Sequence, residues 1–145
     1  MDCLRQIKWI PTPSRKNVSP TPKCNSMVFG LTRRPFYGYV EAKANDDYPE
    51  VFSYLQELIQ KEHPEFEYTS ITLNYNLQCQ PHKDKNNKGP SMIIGLGFYE
   101  GGELVIEGIN YDIKNKFLIF NGAEKEHWTN PFTGDRYSVV YYSVK

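Results

Sequence analysis

Residue types that build cross-links and zinc sites are scarce in this sequence. The three cysteines are widely separated and none stands in a CxxC pair, so neither a disulfide framework nor a zinc ribbon is indicated. A reducing, intracellular setting is therefore the simpler expectation. Only three histidines occur in the 145 residues, so each of them can be weighed individually as a ligand.

Long apolar runs are also missing. No segment approaches the roughly 18 apolar residues of a membrane-spanning helix, and the first residues lack the apolar stretch of a secretory signal. We therefore expect no membrane association. The sequence sets no oligomeric state and is compatible with a monomer.

The chain has no net charge, but its charges are unevenly distributed. Residues 1–40 contain seven basic residues and one acidic residue, whereas residues 41–145 contain ten basic and sixteen acidic residues. A basic amino-terminal segment on an acidic domain points to a polyanion such as nucleic acid. The alternative is a solvated tail without a partner.

Helical periodicity occurs at one place only. Apolar residues at Val51, Leu55, Leu58 and Ile59 form one face of a helix predicted at about residues 48–62. Upstream, four prolines within twelve positions exclude a helix or a central strand. We therefore divide the chain into two parts, a proline-rich basic arm at residues 1–26 and a single domain at residues 27–145.

From residue 68 onward the apolar pattern has period two, which is typical of strands. Aromatic residues, which favour strands, make up 14% of the chain. Six or more strands without intervening helices predict a mainly β (α+β) fold, a double-stranded β-helix or jelly roll. The predicted strands are residues 68–80, a hairpin of 91–99 with 102–108 through Glu100-Gly101-Gly102, a further pair within 109–122, and 136–144.

The first of these strands has one polar face. If it runs unbroken, His82 and Asp84 share this face about 7 Å apart, because alternate side chains of a strand point the same way. The face either meets solvent, the usual case for antiparallel sheets, or lines a polar cavity. The polar positions are Ser70, Thr72, Asn74, Asn76, Gln78, Gln80, His82 and Asp84.

A third histidine and an arginine complete a pattern that is more specific than its parts. His127 follows an apolar strand, and Arg136-x-Ser138 begins the last one. Two imidazoles and one carboxylate form the facial triad of non-haem Fe(II) sites, which leaves positions for a chelating 2-oxo acid and O2. The distal carboxylate of such an acid needs a cation, which Arg136 can supply bidentately, with Ser138 as a hydroxyl donor. Otherwise Arg136 is a surface ion-pair residue.

These residues resemble the signature of the Fe(II)/2-oxoglutarate-dependent dioxygenase superfamily over about residues 68–145. The resemblance implies a double-stranded β-helix with His82, Asp84 and His127 as Fe(II) ligands. It further implies that Arg136 and Ser138 bind 2-oxoglutarate, with O2 as the second co-substrate. Asn74 and Asn76, on the polar face of the first strand, are further candidates for binding 2-oxoglutarate.

Within the superfamily, two segments look most like the TET/JBP group, which oxidises the 5-methyl group of pyrimidines in nucleic acid. They are NYNLQCQPHKDKNNKGPSMIIGLGFYEGGELVI and PFTGDRYSVVYYS. The resemblance implies a nucleic-acid partner, with DNA favoured. Candidate substrate-binding residues are Lys85, Asn86, Asn87, Arg33 and Arg34.

Two other functions remain open from the sequence. A protein or peptide hydroxylase of the prolyl type would use the same iron site, and its basic arm would be a tail or a wall of a peptide groove. A non-enzymatic jelly-roll binding module would need no iron, which the complete ligand set argues against.

Overall fold

A computed structural model describes residues 2–9, 12–13 and 23–145. The helices are α1 (Asp2–Arg5), α2 (Ala44–Asp47) and α3 (Pro49–Glu62). The first strands are β1 (Thr12–Pro13), β2 (Lys23–Arg34), β3 (Gly38–Glu41), β4 (Ser70–Tyr75) and β5 (Ser91–Gly101). They are followed by β6 (Leu104–Ile106), β7 (Ile109–Tyr111), β8 (Leu118–Phe120), β9 (His127–Thr129) and β10 (Phe132–Tyr142).

The strands form two antiparallel sheets of unequal size. The large sheet has seven strands in the order β1-β2-β4-β10-β5-β8, with β3 added to β2. The small sheet has the order β7-β6-β9. This arrangement confirms the predicted mainly β, jelly-roll fold.

Helix α3 covers one face of the large sheet. Pro49 lies in its first turn, where the missing N–H leaves no hydrogen bond unmade. Its apolar face places Val51, Leu55 and Ile59 in the core, and the Tyr141 hydroxyl donates to the Leu55 carbonyl. The predicted packing helix is therefore confirmed.

The two central strands of the large sheet have chemically different faces. Ile71 and Leu73 of β4 pack into the core that contains the α3 residues, as do Val139 and Tyr141 of β10. The alternate positions line a cavity on the opposite face of the sheet: Thr72, Asn74, Ser138, Val140 and Tyr142. Of the two explanations for the polar face of β4, the cavity is the one that the structure supports.

Strand β4 is shorter than predicted. It ends at Tyr75, because Asn76 adopts a left-handed backbone conformation with φ 49°. The prediction that an unbroken strand carries His82 and Asp84 on one face is therefore wrong. Beyond Asn76 the chain crosses to the small sheet, where His82 forms an isolated antiparallel bridge with His127.

Two predicted hairpins are also wrong. Strand β5 pairs with β10 and β8, whereas β6 pairs with β7 and β9. The Gly101-Gly102 turn thus carries the chain from the large sheet to the small one. Strands β7 and β8, predicted as a pair, belong to different sheets as well.

The described part of the predicted arm packs against the domain. Leu4 and Ile7 are buried in the core that contains the α3 residues, and the Trp9 ring stacks on Tyr75 at 5.9 Å. Strand β2 already begins at Lys23, so the division of the chain at residue 26 stays a prediction. None of the helices in the described ranges is long and apolar enough to cross a membrane.

Candidate metal centre and anion pocket

A cavity of about 690 Å³, counting its open mouth, lies between the two sheets. Along β10 its lining changes from buried Arg136 and Ser138 to half-buried Val140 and Tyr142, so the cavity opens toward Tyr142. The residues that line it are Thr72, Asn74, Cys79, His82, Asp84, Asn87, Ile93, Leu104, Phe120, His127, Trp128, Thr129, Arg136, Ser138, Val140 and Tyr142.

His82, Asp84 and His127 meet at one point on the cavity wall. Their ligand atoms all lie within 4.8 Å of one another. The Asp84 carboxylate lies 3.5 Å from His82 Nε2 and 3.3 Å from His127 Nε2. Two nitrogens and one carboxylate oxygen can therefore converge on a single cation.

Backbone hydrogen bonds hold these three residues in place. His82 and His127 exchange both N–H···O bonds, at 3.1 and 3.0 Å. The Asp84 N–H donates to the Gly122 carbonyl at 2.8 Å. The main chain of the segment that follows β4, bonded to the main chain of Gly122 and His127, thus fixes the positions of the three residues.

Both imidazoles are oriented through the ring nitrogen that faces away from the carboxylate. His82 Nδ1 lies 2.6 Å from the Gln80 carbonyl, and His127 Nδ1 lies 2.9 Å from the Lys125 carbonyl. A carbonyl can only accept, so each Nδ1 carries the proton and each Nε2 keeps its lone pair for a metal. Burial lowers the pKa of His127, but the Asp84 carboxylate and the Lys125 carbonyl raise it more, so that it lies above its usual value.

Arg136 lies in the buried part of the same cavity, with 2% of its surface exposed. One guanidinium nitrogen donates to the Gly102 carbonyl at 3.0 Å, while Nε has no hydrogen-bond partner among the described residues. The rings of Tyr99 and Phe132 each lie 5.5 Å from Cζ. Burial lowers the pKa of Arg136, but a guanidinium keeps its charge in proteins.

A buried cation without a counter-ion is costly. Among the described residues, no carboxylate forms an ion pair with Arg136. An anionic group entering the cavity would supply both the missing charge and the missing acceptor for Nε. The donor set therefore fits a ligand that carries a carboxylate.

Asn74 and Ser138 form the polar floor between the three-residue cluster and Arg136. The Asn74 amide donates to the Ser138 hydroxyl at 3.3 Å and accepts from the Ser26 hydroxyl at 2.8 Å. The Ser138 hydroxyl keeps its own proton to donate into the cavity. Asn76 is not a lining residue, because its side chain instead accepts the Arg136 backbone N–H at 2.8 Å.

The predicted substrate-binding residues are only partly brought together. Asn87 lines the cavity and is half-buried. Lys85 and Asn86 are exposed in the same loop and do not line it. Arg33 and Arg34 are exposed at the end of β2, outside the lining.

Several lining residues were missed by sequence reasoning. Trp128 follows a candidate ligand in a three-residue strand, is half-buried and is among the lining residues. Tyr142 is hydrogen-bonded to Thr72 at 2.9 Å at the opening. The polar period of β4 already placed Thr72 on the polar face, whereas nothing in the sequence distinguishes Trp128 from a core aromatic residue.

No protein-family model matches the sequence, and no curated protein sequence matches it. Solved structures do resemble it. An oxidoreductase of the 2OG-Fe(II) oxygenase family from Burkholderia pseudomallei has a TM-score of 0.62 at 16% identity, covering 97% of this chain and 74% of that one. The fold is that of the 2OG-Fe(II) oxygenases.

Two further structures share this oxygenase fold. NgTET1 in complex with 5mC DNA gives a TM-score of 0.63 at 16% identity over 81% of this chain. OsALKBH1 gives 0.59 at 14% identity over 98% of this chain and 88% of its own. The present chain spans 60% of the NgTET1 chain.

Proposed function

We propose that this chain is an Fe(II)- and 2-oxoglutarate-dependent dioxygenase. Its substrate would be the 5-methyl group of a pyrimidine, 5-methylcytosine or thymine, in nucleic acid, with DNA favoured. The observation that carries the proposal is one cavity that holds both a His-Asp-His cluster and a buried arginine that forms no ion pair with any described carboxylate. Either feature alone has a structural explanation, but together they fit a metal and a dicarboxylate side by side.

The three ligands would hold Fe(II) on one side only. His82 and His127 offer Nε2 lone pairs, and Asp84 supplies one negative charge. A set of two imidazoles and one carboxylate would leave positions on the metal open for a co-substrate. When bound, Fe(II) with 2-oxoglutarate and O2 supplies the oxidant that hydroxylates an unactivated C–H bond.

Arg136 and Ser138 would bind the distal carboxylate of 2-oxoglutarate. The guanidinium is already desolvated and anchored to the Gly102 carbonyl, so little conformational freedom is lost when the anion arrives. Asn74 keeps the Ser138 hydroxyl in position. The apolar side chains of Ile93, Leu104 and Phe120 line the same cavity and reduce the access of water to it.

One polar side chain in the lining can contact a base. The Asn87 amide, in the cavity that contains the candidate ligands, can both donate to and accept from a base edge. A base in a duplex would have to leave the stack to reach this position.

Mass spectrometry of nucleosides tests the proposal directly. The protein is incubated with Fe(II), 2-oxoglutarate and DNA that contains 5-methylcytosine or thymine. We expect 5-hydroxymethyl products together with succinate, and neither without 2-oxoglutarate. Succinate formation coupled only to peptide hydroxylation would replace the nucleic-acid substrate by a protein, and no succinate under any condition would refute the enzymatic function.

A further inference from the structure

Strands β2 and β3 form a hairpin whose tip, residues 33–39, projects aromatic rings into solvent. Phe36 and Tyr37 are 105% and 79% exposed, and Tyr39 is 41% exposed. Single exposed apolar residues are ordinary, but three aromatic side chains within four positions form a patch. Such patches mark interaction sites.

The turn at this tip presents Phe36 in a conformation that its residue type disfavours. The Tyr37 N–H donates to the Arg34 carbonyl at 3.1 Å, which closes a turn with Pro35 in second place. Phe36, in third place, has φ 71°. This combination is that of a type II turn, whose third position normally takes glycine. A bulky side chain there is strained. The turn is therefore less stable than the same turn with glycine, and it exposes an aromatic ring.

The tip is also basic. Arg33 and Arg34 are exposed, and neither takes part in an ion pair with any described residue. The Lys145 ammonium lies 5.8 Å from the centre of the Tyr39 ring. Three cations thus accompany the aromatic patch, and none of them forms an ion pair with a carboxylate in the described part of the chain.

The hairpin leaves the large sheet at the end where the cavity opens. The Ser70 hydroxyl, at the start of β4, donates to the Leu31 carbonyl at 2.7 Å. Ser70 is paired in register with Tyr142, the cavity-lining residue at the opening. Lys145, which touches the tip, follows Tyr142 by three positions.

We propose that the hairpin tip docks nucleic acid beside the cavity, with Arg33 and Arg34 on phosphates and Phe36 and Tyr37 stacked against bases. The proposal rests on the nucleic-acid function proposed above. Exposed arginines without counter-ions favour a polyanion, and adjacent flat rings favour one that offers stacking surfaces. A duplex held here would be unstacked next to the opening, where a base must enter.

Binding measurements with matched variants test the hairpin. Phe36→Gly removes the ring and gives the turn its preferred residue, so we expect a melting temperature at or above that of the native protein. We expect DNA binding to weaken roughly tenfold for Phe36→Gly, because one aromatic ring no longer stacks on a base. Phe98→Ala is the control, since Phe98 is 76% exposed with Arg5 5.7 Å from its ring at the opposite end of the large sheet.

The two arginines are tested through the salt dependence of binding. In Arg33→Ala/Arg34→Ala, the slope of log affinity against log salt should fall by about 2, because each arginine neutralises one phosphate. Fluorescence of 2-aminopurine placed beside 5-methylcytosine in the duplex reports unstacking. It should rise with the native protein and with Phe98→Ala, but not with Phe36→Gly.

The outcomes separate this proposal from the function on which it rests. Suppose that all hairpin variants bind DNA with the affinity and salt slope of the native protein, and that the native protein oxidises the base. This result would overturn the hairpin proposal alone. Absence of both DNA binding and base oxidation in the native protein would overturn both. Binding of the tip to anionic vesicles but not to DNA would also refute the docking proposal.

Discussion

The two histidines of the cluster are oriented by the same kind of hydrogen bond to the nearby backbone. Each ring donates from Nδ1 to the carbonyl two residues earlier, Gln80 for His82 and Lys125 for His127. The chain bends just before each histidine, at Pro81 and at Lys125, which places that carbonyl within reach of the ring, so no additional side chain is needed. The chemical identity of the three ligands could be predicted from the sequence, but the choice of ring nitrogen could not, because it depends on local backbone geometry.

Loss of the carboxylate should abolish the metal site. In Asp84→Ala the two imidazoles remain without the anion that balances a divalent cation, so we expect no turnover and no saturable Mn(II) binding in calorimetry. Asp112→Ala is the control, since Asp112 is an exposed carboxylate paired with Lys116 at 3.2 Å. Equal Mn(II) affinity in both variants would contradict the assignment of Asp84.

Replacement of Arg136 should change stability and co-substrate binding in opposite directions. Arg136→Met removes a buried cation that has no ion-pair partner among the described residues, so the free protein should be equally stable or more stable, by up to about 4 kcal/mol. Added 2-oxoglutarate at 100 times its dissociation constant should stabilise the native protein by about 2.7 kcal/mol and the variant not at all. Thermal unfolding with and without 2-oxoglutarate measures both effects, and a variant that still responds would refute the anion role.

At the scale of elements, the sequence patterns did not predict where the chain passes from one sheet to the other. Glu100-Gly101-Gly102 has the composition of a hairpin turn, yet β5 and β6 belong to different sheets. Turn residues fix the local backbone but not the partner of the next strand, which is chosen by tertiary packing. Similarly, Asn76 ends β4 with φ 49°, although its polar side chain fitted the strand alternation.

The Gly101-Gly102 crossing also shapes the arginine pocket, which a pair of glycine variants can test. A Cβ on Gly102 would lie 2.7 Å from Arg136 Nε, and φ is 68°. Gly102→Ala should therefore cost about 1–2 kcal/mol of stability and weaken 2-oxoglutarate binding. Gly108→Ala is the control, because its φ is 82° but its Cβ meets nothing within 4 Å.

Denaturant unfolding and 2-oxoglutarate titration distinguish the two glycine effects. We expect a similar loss of stability in both variants and weaker 2-oxoglutarate binding only in Gly102→Ala. Weaker binding in Gly108→Ala of the same size would show that backbone strain, and not contact with Arg136, controls the pocket.

At the scale of the whole molecule, the large sheet separates a packing face from a chemical face. Alternation in β4 and β10 sends Ile71 and Val139 toward α3, and Thr72 and Ser138 into the cavity. This division was predictable from the sequence, because inward and outward side chains alternate without interruption along both strands. Which strands form the second sheet was not predictable, because its three strands have three residues each, too few for a periodic signal.

The reciprocal backbone bonds between His82 and His127 have a consequence for how the protein handles metal. Because the main chain already sets the spacing of both rings, an incoming ion has little structure to organise. Ions should therefore exchange without refolding, and the amide protons of His82, Asp84 and His127 should exchange slowly with solvent deuterium even in a chelator. A protein built in this way can be emptied and reloaded with Co(II) as a spectroscopic probe.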